Sequence, residues 1–230
     1  MIVGATGDYW LTVGVGAALC AYACTAARWR PGGWTAVTAR VISVVLIVDA
    51  VTFVVLPIVE GRWSVQTSLP LALCDVALVV AAVACWRPSL TLAVELTYFW
   101  GLAGTLQAIA TPDLTVSFPH VEFFDYVVGH VGIVVAALFL TVGLGCRPRR
   151  SAPIRVFVIT VAYTVVVGFF DWLTSSNYMF LERLPPRASL LSVLGPWPWY
   201  VVSAAGVAIV LLAVLDAPFR VRAPGGIGSK

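Results

Sequence analysis

Residues 36–58, AVTARVISVVLIVDAVTFVVLPI, decide the fold class of this chain. The stretch is long enough to cross the hydrocarbon core of a bilayer as one helix, which takes roughly 20 apolar residues. Its only charged side chains are Arg40 and Asp49. Six further stretches of this kind lie near residues 9–27, 69–86, 90–110, 122–144, 155–173 and 197–216. The pattern therefore predicts an all-α bundle of seven transmembrane helices.

The composition of the whole chain agrees with this interpretation. Of 230 residues, 60% are hydrophobic and 11% are charged, whereas a soluble domain carries about 25% charged residues. Such a chain could not cover its own core with polar surface, but lipid solvates an apolar exterior. We expect one transmembrane domain over residues 1–222 and a disordered, glycine-rich tail over residues 223–230. No basic residue precedes the first apolar segment, which predicts a retained span rather than a cleaved signal peptide.

The basic residues predict the orientation of the bundle. Cytoplasmic loops are enriched in Lys and Arg. Eleven basic residues fall on one side of the seven predicted spans, and Arg62, Arg183 and Arg187 fall on the other. With an odd number of spans, the amino terminus is predicted to lie outside and the carboxyl terminus in the cytoplasm. The expected location is the cell membrane, which the chain crosses several times.

Several polar side chains lie inside the predicted spans, where they are costly and usually functional. Most of them fall in the outer half, and Glu95 near the inner end of the fourth span is the exception. The outer set comprises Asp49, Cys74, Asp75, Gln107, Glu122, Asp125, His130, Asp171 and Asn177. Two interpretations stay open: hydrogen bonds that hold the helices together, or a shared site.

Cys74 and His130 are the candidate reactive groups of this set. Cys74 is predicted about 8 Å below the outer end of its span and His130 about 12 Å below the outer end of its own. A thiol and an imidazole at comparable depth are the parts of a nucleophile–base pair. A buried cysteine can equally serve as a small hydrophobic side chain. Glu122 and Tyr126 share a helical face with His130, so either could orient the imidazole, or Tyr126 could belong to an interfacial aromatic belt.

The connection between the last two spans is apolar for an outer loop. It could dip into the headgroup layer or cover a cavity. Arg183 and Arg187 are candidates for holding a lipid phosphate there, although exposed arginines often have no such task. Trp197 and Trp199 fit interfacial anchors. With only two histidines in the chain, a histidine-rich zinc site is not expected, and we predict neither a metal, nor a cofactor, nor a nucleic-acid partner.

Four sequence blocks carry a resemblance to a known family. They are LPLALCDVAL at 69–78, ELTYFWGLAGTLQAIATPDL at 95–114, FPHVEFFDYVVGHVGIVVAAL at 118–138, and NYMFL at 177–181 with ASLLSVLGPWPWY at 188–200. In this order they resemble the bacterial YwaF-type membrane proteins, which are similar to the eukaryotic transmembrane protein 164 family. The resemblance runs from the third predicted span to the seventh.

The resemblance implies a thiol-dependent phospholipid acyltransferase in which Cys74 is the nucleophile and His130 the general base. Relatives often carry a histidine where this chain has Ala72. The supporting polar groups expected around the pair are Asp75, Gln107, Glu122, Asp171 and Asn177. Membrane phospholipids are the expected partners, and the chain could be a monomer or a homodimer. A lipid hydrolase with the same pair, a small-molecule transporter or binding protein, and a structural protein remain alternatives.

Overall fold

The computed structural model describes residues 6–114, 116–185 and 189–221, and those ranges contain helices and loops but no strand. The predicted tail and Arg187 therefore lie outside the described residues. The α-helices are α1 (Gly7–Trp29), α2 (Gly33–Val59), α3 (Leu73–Trp86), α4 (Thr91–Phe99), α5 (Leu106–Ala110), α6 (Val121–Leu138), α7 (Ala152–Thr174) and α8 (Trp199–Val221). The all-α class predicted from the sequence is confirmed.

Five helical segments are long and apolar enough to cross a membrane: Gly7–Trp29, Gly33–Val59, Val121–Gly143, Ala152–Thr174 and Trp199–Arg220. They leave large apolar side chains uncovered, among them Ile154 at 73% and Leu11 at 68% exposure. A soluble protein would not expose aliphatic surface along whole helices. The chain is thus a multi-pass membrane protein.

The third helix is shorter than the sequence indicated. The third span was predicted near residues 69–86, whereas α3 begins four residues later, at Leu73, and its 14 residues rise only about 21 Å. Residues before it are held in extended and bent conformations by tyrosines from elsewhere. The Tyr178 hydroxyl accepts the Leu69 N–H at 3.0 Å, and the Tyr163 hydroxyl donates to the Leu71 carbonyl at 2.8 Å.

The predicted fourth span is helical from Thr91 to Ala110, but it is not uniform. A π-helical stretch, Trp100–Thr105, joins α4 to α5. A second π-helical stretch, Phe139–Gly143, continues α6. Such wide turns are rare in helices and are frequent at functional sites. The first of them lies beside α3 and α6.

The helices alternate in direction, so the bundle has two chemically different ends. The thiol end is where α3 and α6 begin, and it carries Cys74. The arginine end is where α6 stops and α7 begins, and it carries Arg149. Hydrogen bonds fix which elements meet at each end: Tyr9 donates to the Ile109 carbonyl at the thiol end, and Tyr98 donates to the Leu215 carbonyl at the other.

The centre of the bundle consists of α3, α4 and α6. The buried face of α3 is built from small side chains such as Ala77, Ala81 and Cys85, each at most 1% exposed. Small residues allow transmembrane helices to approach closely. Gly101 serves the same purpose, since a Cβ there would lie 3.3 Å from the Cβ of Ala137 on α6. This close packing holds α3 and α6 side by side.

Candidate functional site

Cys74 is the second residue of α3, in the first turn of the helix. The Asp75 carboxylate accepts the Ala72 N–H at 3.0 Å and so fixes the start of the helix. The first-turn N–H groups have no partner within a helix and carry partial positive charge. This partial charge favours an anion at Cys74, whereas burial of the thiol and the neighbouring Asp75 carboxylate disfavour one. Asp75, which was predicted to support the site, caps the start of α3.

The Cys74 side chain is half-buried and faces the π-helical stretch between α4 and α5. The Thr105 hydroxyl lies near the thiol and donates to the Trp100 carbonyl at 3.4 Å. Thr105 itself is almost fully buried, at 1% exposure. The π-helical stretch thus places a buried hydroxyl near the sulfur atom. All five cysteines of the chain are free thiols.

His130 has a defined tautomer. Its Nδ1 lies 2.7 Å from the carbonyl oxygen of Tyr126, one turn earlier in α6. A carbonyl oxygen can only accept a hydrogen bond, so Nδ1 carries the hydrogen and Nε2 keeps its lone pair. The imidazole also stacks on the Tyr126 ring, with 4.2 Å between ring centroids and 25° between planes. Both contacts turn the imidazole back toward the thiol end.

Cys74 and His130 lie on neighbouring helices about one helical turn apart along the bundle, and no hydrogen bond between described residues joins their side chains. Leu78 lies against Gly129, since a Cβ on that glycine would be 3.3 Å from the Leu78 side chain. Because α3 and α6 both run away from the thiol end, Cys74 lies one turn above this contact, level with Tyr126. The Tyr126 hydroxyl and the Cys74 thiol are close enough to interact electrostatically. Tyr126 therefore lies near the Cys74 thiol and stacks on the His130 imidazole.

Tyr126 is anchored at its far end. Its hydroxyl donates to the Ala108 carbonyl of α5 at 2.8 Å. The ring is held between α5 and His130, which limits the rotamers open to both side chains. The sequence suggested a carboxylate or a phenol as the group that orients His130. The structure gives this task to the carbonyl and the ring face of Tyr126.

Three carboxyl groups form a layer next to the candidate pair. Asp125 on α6 lies near enough to Asp49 on α2 and to Asp75 on α3 for their charges to repel. The Asp49 side chain occupies the space beside Gly129, where a Cβ would be 2.6 Å from its Oδ2. Asp125 Oδ1 is buried and accepts no hydrogen bond from any described residue. None of the three forms an ion pair within the described ranges.

Glu122 does not reach His130. Its carboxylate pairs with Arg62, which follows α2 and also pairs with Glu60. His120 lies 3.9 Å from the other carboxylate oxygen of Glu122. Glu122 thus ties the α2–α3 connection to the start of α6 at the rim of the thiol end.

Asp171 and Asn177 shape the connection that follows α7. Asp171 is fully buried and accepts the Tyr178 N–H at 3.0 and 3.2 Å. The Asn177 side chain accepts the N–H groups of Glu182 and Arg183, and donates to the Arg183 carbonyl at 2.9 Å. Burial raises the pKa of the Tyr178 hydroxyl, which stays protonated and donates to the Val65 carbonyl. Asp171 and Asn177 therefore fix the backbone of residues 177–183. This segment, which we call the strap, contacts Val65 and Leu69 just before α3 through Tyr178.

The remaining candidates lie further from the thiol. Gln107 is half-buried on α5, two residues after Thr105. Arg183 is exposed on the strap, where a headgroup could reach it. No group of three or more His, Cys, Asp or Glu side chains in the described ranges could hold a metal ion.

Sequence reasoning missed Thr105 and the exact role of Tyr126. A threonine in an apolar segment is common, and the residues around Thr105 do not predict a π-helical stretch. The i, i+4 spacing of Tyr126 and His130 was the available signal, because residues four apart lie on one face of a helix.

A family model described as the TMEM164 family matches residues 5–216 of the chain. No curated protein and no solved structure is similar enough to be matched. The family match covers all the described helices except the end of α8, and it includes Cys74, Tyr126 and His130.

Proposed function

Since the chain belongs to the TMEM164 family, we propose that it is a membrane-embedded acyltransferase that moves acyl chains between phospholipids through a thioester on Cys74. The observation that carries the proposal is the state of His130. Its Nδ1–H is bound to the Tyr126 carbonyl, so Nε2 keeps its lone pair, and Cys74 begins α3 about one helical turn away along the bundle. A thiol at a helix start with an oriented imidazole on the neighbouring helix is an arrangement that nucleophilic acyl transfer can use.

The site is accessible from one leaflet in this proposal. We infer seven crossings, with α3 and the α4–α5 segment spanning alongside the five longer helices. The arginine end faces the cytoplasm, because most Arg and Lys residues lie there. The amino terminus and the thiol end then face outward, and a phospholipid of the outer leaflet of the cell membrane reaches Cys74 sideways between helices.

The first chemical step transfers an acyl group to sulfur. His130 Nε2 takes the proton of the Cys74 thiol, and the thiolate attacks the ester carbonyl carbon of the donor lipid. The carbonyl oxygen becomes an oxyanion, and we infer that the backbone N–H groups of Leu73 and Cys74, at the start of α3, stabilise it. As the tetrahedral adduct collapses, the C–O bond breaks. The imidazolium returns its proton to the leaving lysophospholipid oxygen.

The second step reverses the first with a new acceptor. The hydroxyl of another lysophospholipid gives its proton to His130 Nε2 and attacks the thioester carbonyl. The C–S bond breaks, and the thiolate recovers the proton from the imidazolium. Water in place of the acceptor would make the protein a hydrolase. Tyr178 binds the backbone at Val65 and Leu69, just before α3, and we infer that this connection limits the entry of water and so favours transfer.

The test is acyl exchange in proteoliposomes that contain a labelled donor phospholipid and an unlabelled lysophospholipid. Wild type should produce labelled diacyl product with little free fatty acid. Cys74→Ala and His130→Ala should each abolish the exchange, while Cys146→Ala at the arginine end should retain it. Equal exchange by wild type and Cys74→Ala would end the proposal. Free fatty acid as the main product would identify a hydrolase instead.

A further inference from the structure

Arg40 is a charged side chain inside a membrane span. Its Cα lies about 10 Å along α2 from Gly33, where the helix begins at the arginine end. The 27 residues of α2 rise about 40 Å in all, which matches a bilayer whose headgroup layers take up roughly 5–8 Å on each side. The backbone of Arg40 therefore lies just inside the hydrocarbon region, where an uncompensated charge is costly.

The side chain of Arg40 faces lipid and not the interior of the bundle. Arg40 is exposed, and its neighbours on the same helical face, Val37 and Val44, are 59% and 51% exposed. The Cα–Cβ bonds of a helix tilt toward its N-terminus. The guanidinium of Arg40 is therefore directed back toward the headgroups at the arginine end, while its aliphatic part stays among acyl chains.

No described carboxylate compensates the charge of Arg40. The buried and half-buried acids of the arginine end, Glu95 and Asp216, pair with other arginines. Arg40 has neither an ion pair nor a side-chain hydrogen bond with any described residue. Arg150 also lacks an ion pair within the described ranges, but it lies in the exposed loop before α7. Water can solvate Arg150, whereas Arg40 needs a partner at the lipid surface.

The contact that Arg40 makes within the protein is with Trp86, the last residue of α3. The guanidinium carbon lies 5.9 Å from the centre of the Trp86 ring, within the range of a cation–π contact. The Ser43 hydroxyl donates to the Ala82 carbonyl at 2.7 Å, one turn deeper on each helix, and so keeps the two side chains level. The ring covers one face of the guanidinium, whose five N–H donors have no acceptor among the described residues.

Arg87 adds a second positive charge beside this pair. The helix α3 ends before it, because a residue that precedes a proline disfavours the helical conformation. Arg87 accordingly has φ −131° and ψ 79°, and its side chain is exposed. Trp86, directly before it, is 56% exposed. Two arginines and an amphipathic ring thus lie together at the level of the lipid headgroups.

We propose that Arg40, Trp86 and Arg87 bind an anionic phospholipid of the leaflet at the arginine end. Arg40 donates to the phosphate oxygens, Arg87 adds attraction, and an acyl chain lies along exposed valines below them, such as Val44 and Val83. With the orientation inferred above, this is the cytoplasmic leaflet, whose surface is negative. The site lies at the opposite end of α3 from Cys74, and it does not depend on acyl transfer.

The experiment counts the lipids bound to the purified protein by native mass spectrometry. Phosphatidylglycerol is titrated into the detergent solution, and phosphatidylcholine and inorganic phosphate are titrated in parallel. Wild type should bind one phosphatidylglycerol at least tenfold more tightly than phosphatidylcholine, and inorganic phosphate at the same concentration should not displace it. Equal binding of the two lipids would overturn the proposal, and so would displacement by inorganic phosphate, which would indicate a site for free anions.

Four variants locate the site. Arg40→Gln should weaken phosphatidylglycerol binding roughly tenfold, because it removes the charge-assisted hydrogen bonds, and Arg87→Gln should weaken it about fivefold. Arg40→Lys keeps the charge but loses the planar fork, so it should weaken binding about threefold. Arg150→Gln, the matched control, removes the same charge from the same end and should bind like wild type.

The melting temperature of each variant without added lipid shows whether it is folded, and Arg40→Lys keeps the test open if Arg40→Gln does not fold. Unchanged binding by Arg40→Gln would overturn the proposal. Equal weakening by Arg40→Gln and Arg150→Gln would also overturn it, because the lipid would then respond to the total charge of this end and not to a defined site.

Discussion

The two ends of the bundle treat buried charge in opposite ways. At the arginine end, the fully buried Glu95 receives two side-chain hydrogen bonds from Arg149, at 2.7 and 2.8 Å, and Arg155 lies 3.5 Å away. Arg220 pairs with Asp216 and also donates to the Arg149 carbonyl. At the thiol end, Asp125 lies near Asp49 and near Asp75, and none of the three has an ion-pair partner among the described residues.

The difference separates architecture from chemistry. A buried carboxylate with two arginines has its charge compensated and holds α4 to the α6–α7 connection and α8. Buried ionisable groups that lack a partner of opposite charge are frequent at functional sites, where a protein needs reactive groups. We therefore expect substitutions at the arginine end to change stability, and substitutions at the thiol end to change acyl exchange.

The largest effect should come from Cys74→Ser. A hydroxyl keeps the size and position of the thiol but is a far weaker nucleophile, so exchange should fall by roughly 1,000-fold. The melting temperature in detergent should stay within about 1 °C of wild type. Retention of more than a tenth of the exchange rate would show that the thiol is not the nucleophile.

Glu95→Ala should lower stability and leave acyl exchange unchanged. It leaves the guanidinium of Arg149 without its carboxylate, and the melting temperature should fall by roughly 5 °C. Exchange per folded molecule should be unchanged at low temperature. Glu60→Ala is the control, because its ion pair with Arg62 is exposed and should shift melting by about 1 °C or less. Equal shifts for the two variants would mean that the clamp at the arginine end is not structural.

Gly129→Ala tests the layer beneath the candidate pair. The new methyl group would meet Asp49 Oδ2 at 2.6 Å and Leu78 at 3.3 Å, so the Asp49 carboxylate and the Leu78 side chain must shift. Rearrangement of these side chains beside His130 should reduce exchange roughly tenfold. Gly206→Ala on α8 meets nothing within 4 Å and should leave exchange unchanged. Normal exchange by Gly129→Ala would show that the layer tolerates movement.

The smallest effect is expected from Tyr126→Phe. It removes the hydrogen bond to the Ala108 carbonyl but keeps the ring under His130 and the carbonyl that binds Nδ1. Exchange should fall about threefold, as expected for one lost hydrogen bond. Tyr126→Leu also removes the ring and should cost more. If both variants exchange equally, the stacked ring does not position the imidazole.

Hydropathy was enough to predict an all-helical membrane bundle and to place most of its helices, because spanning length and apolar composition are local properties. Hydropathy did not predict the irregular backbone at Leu69, where a tyrosine distant in sequence binds the backbone. It also did not predict the π-helical stretch Trp100–Thr105, which depends on packing. The family resemblance singled out Cys74 and His130. The partners of each side chain, such as Thr105 beside the thiol and Arg62 on Glu122, depend on tertiary contacts that periodicity cannot predict.

The central claim is that Cys74 carries the acyl group during exchange. Protein incubated with a donor phospholipid and no acceptor can be quenched in acid and digested, and the peptide that contains residue 74 weighed by mass spectrometry. We predict a mass increase equal to one acyl group on Cys74, removed by hydroxylamine and absent in His130→Ala. An acyl group found on another cysteine, or exchange without any acyl-Cys74 peptide, would contradict the account.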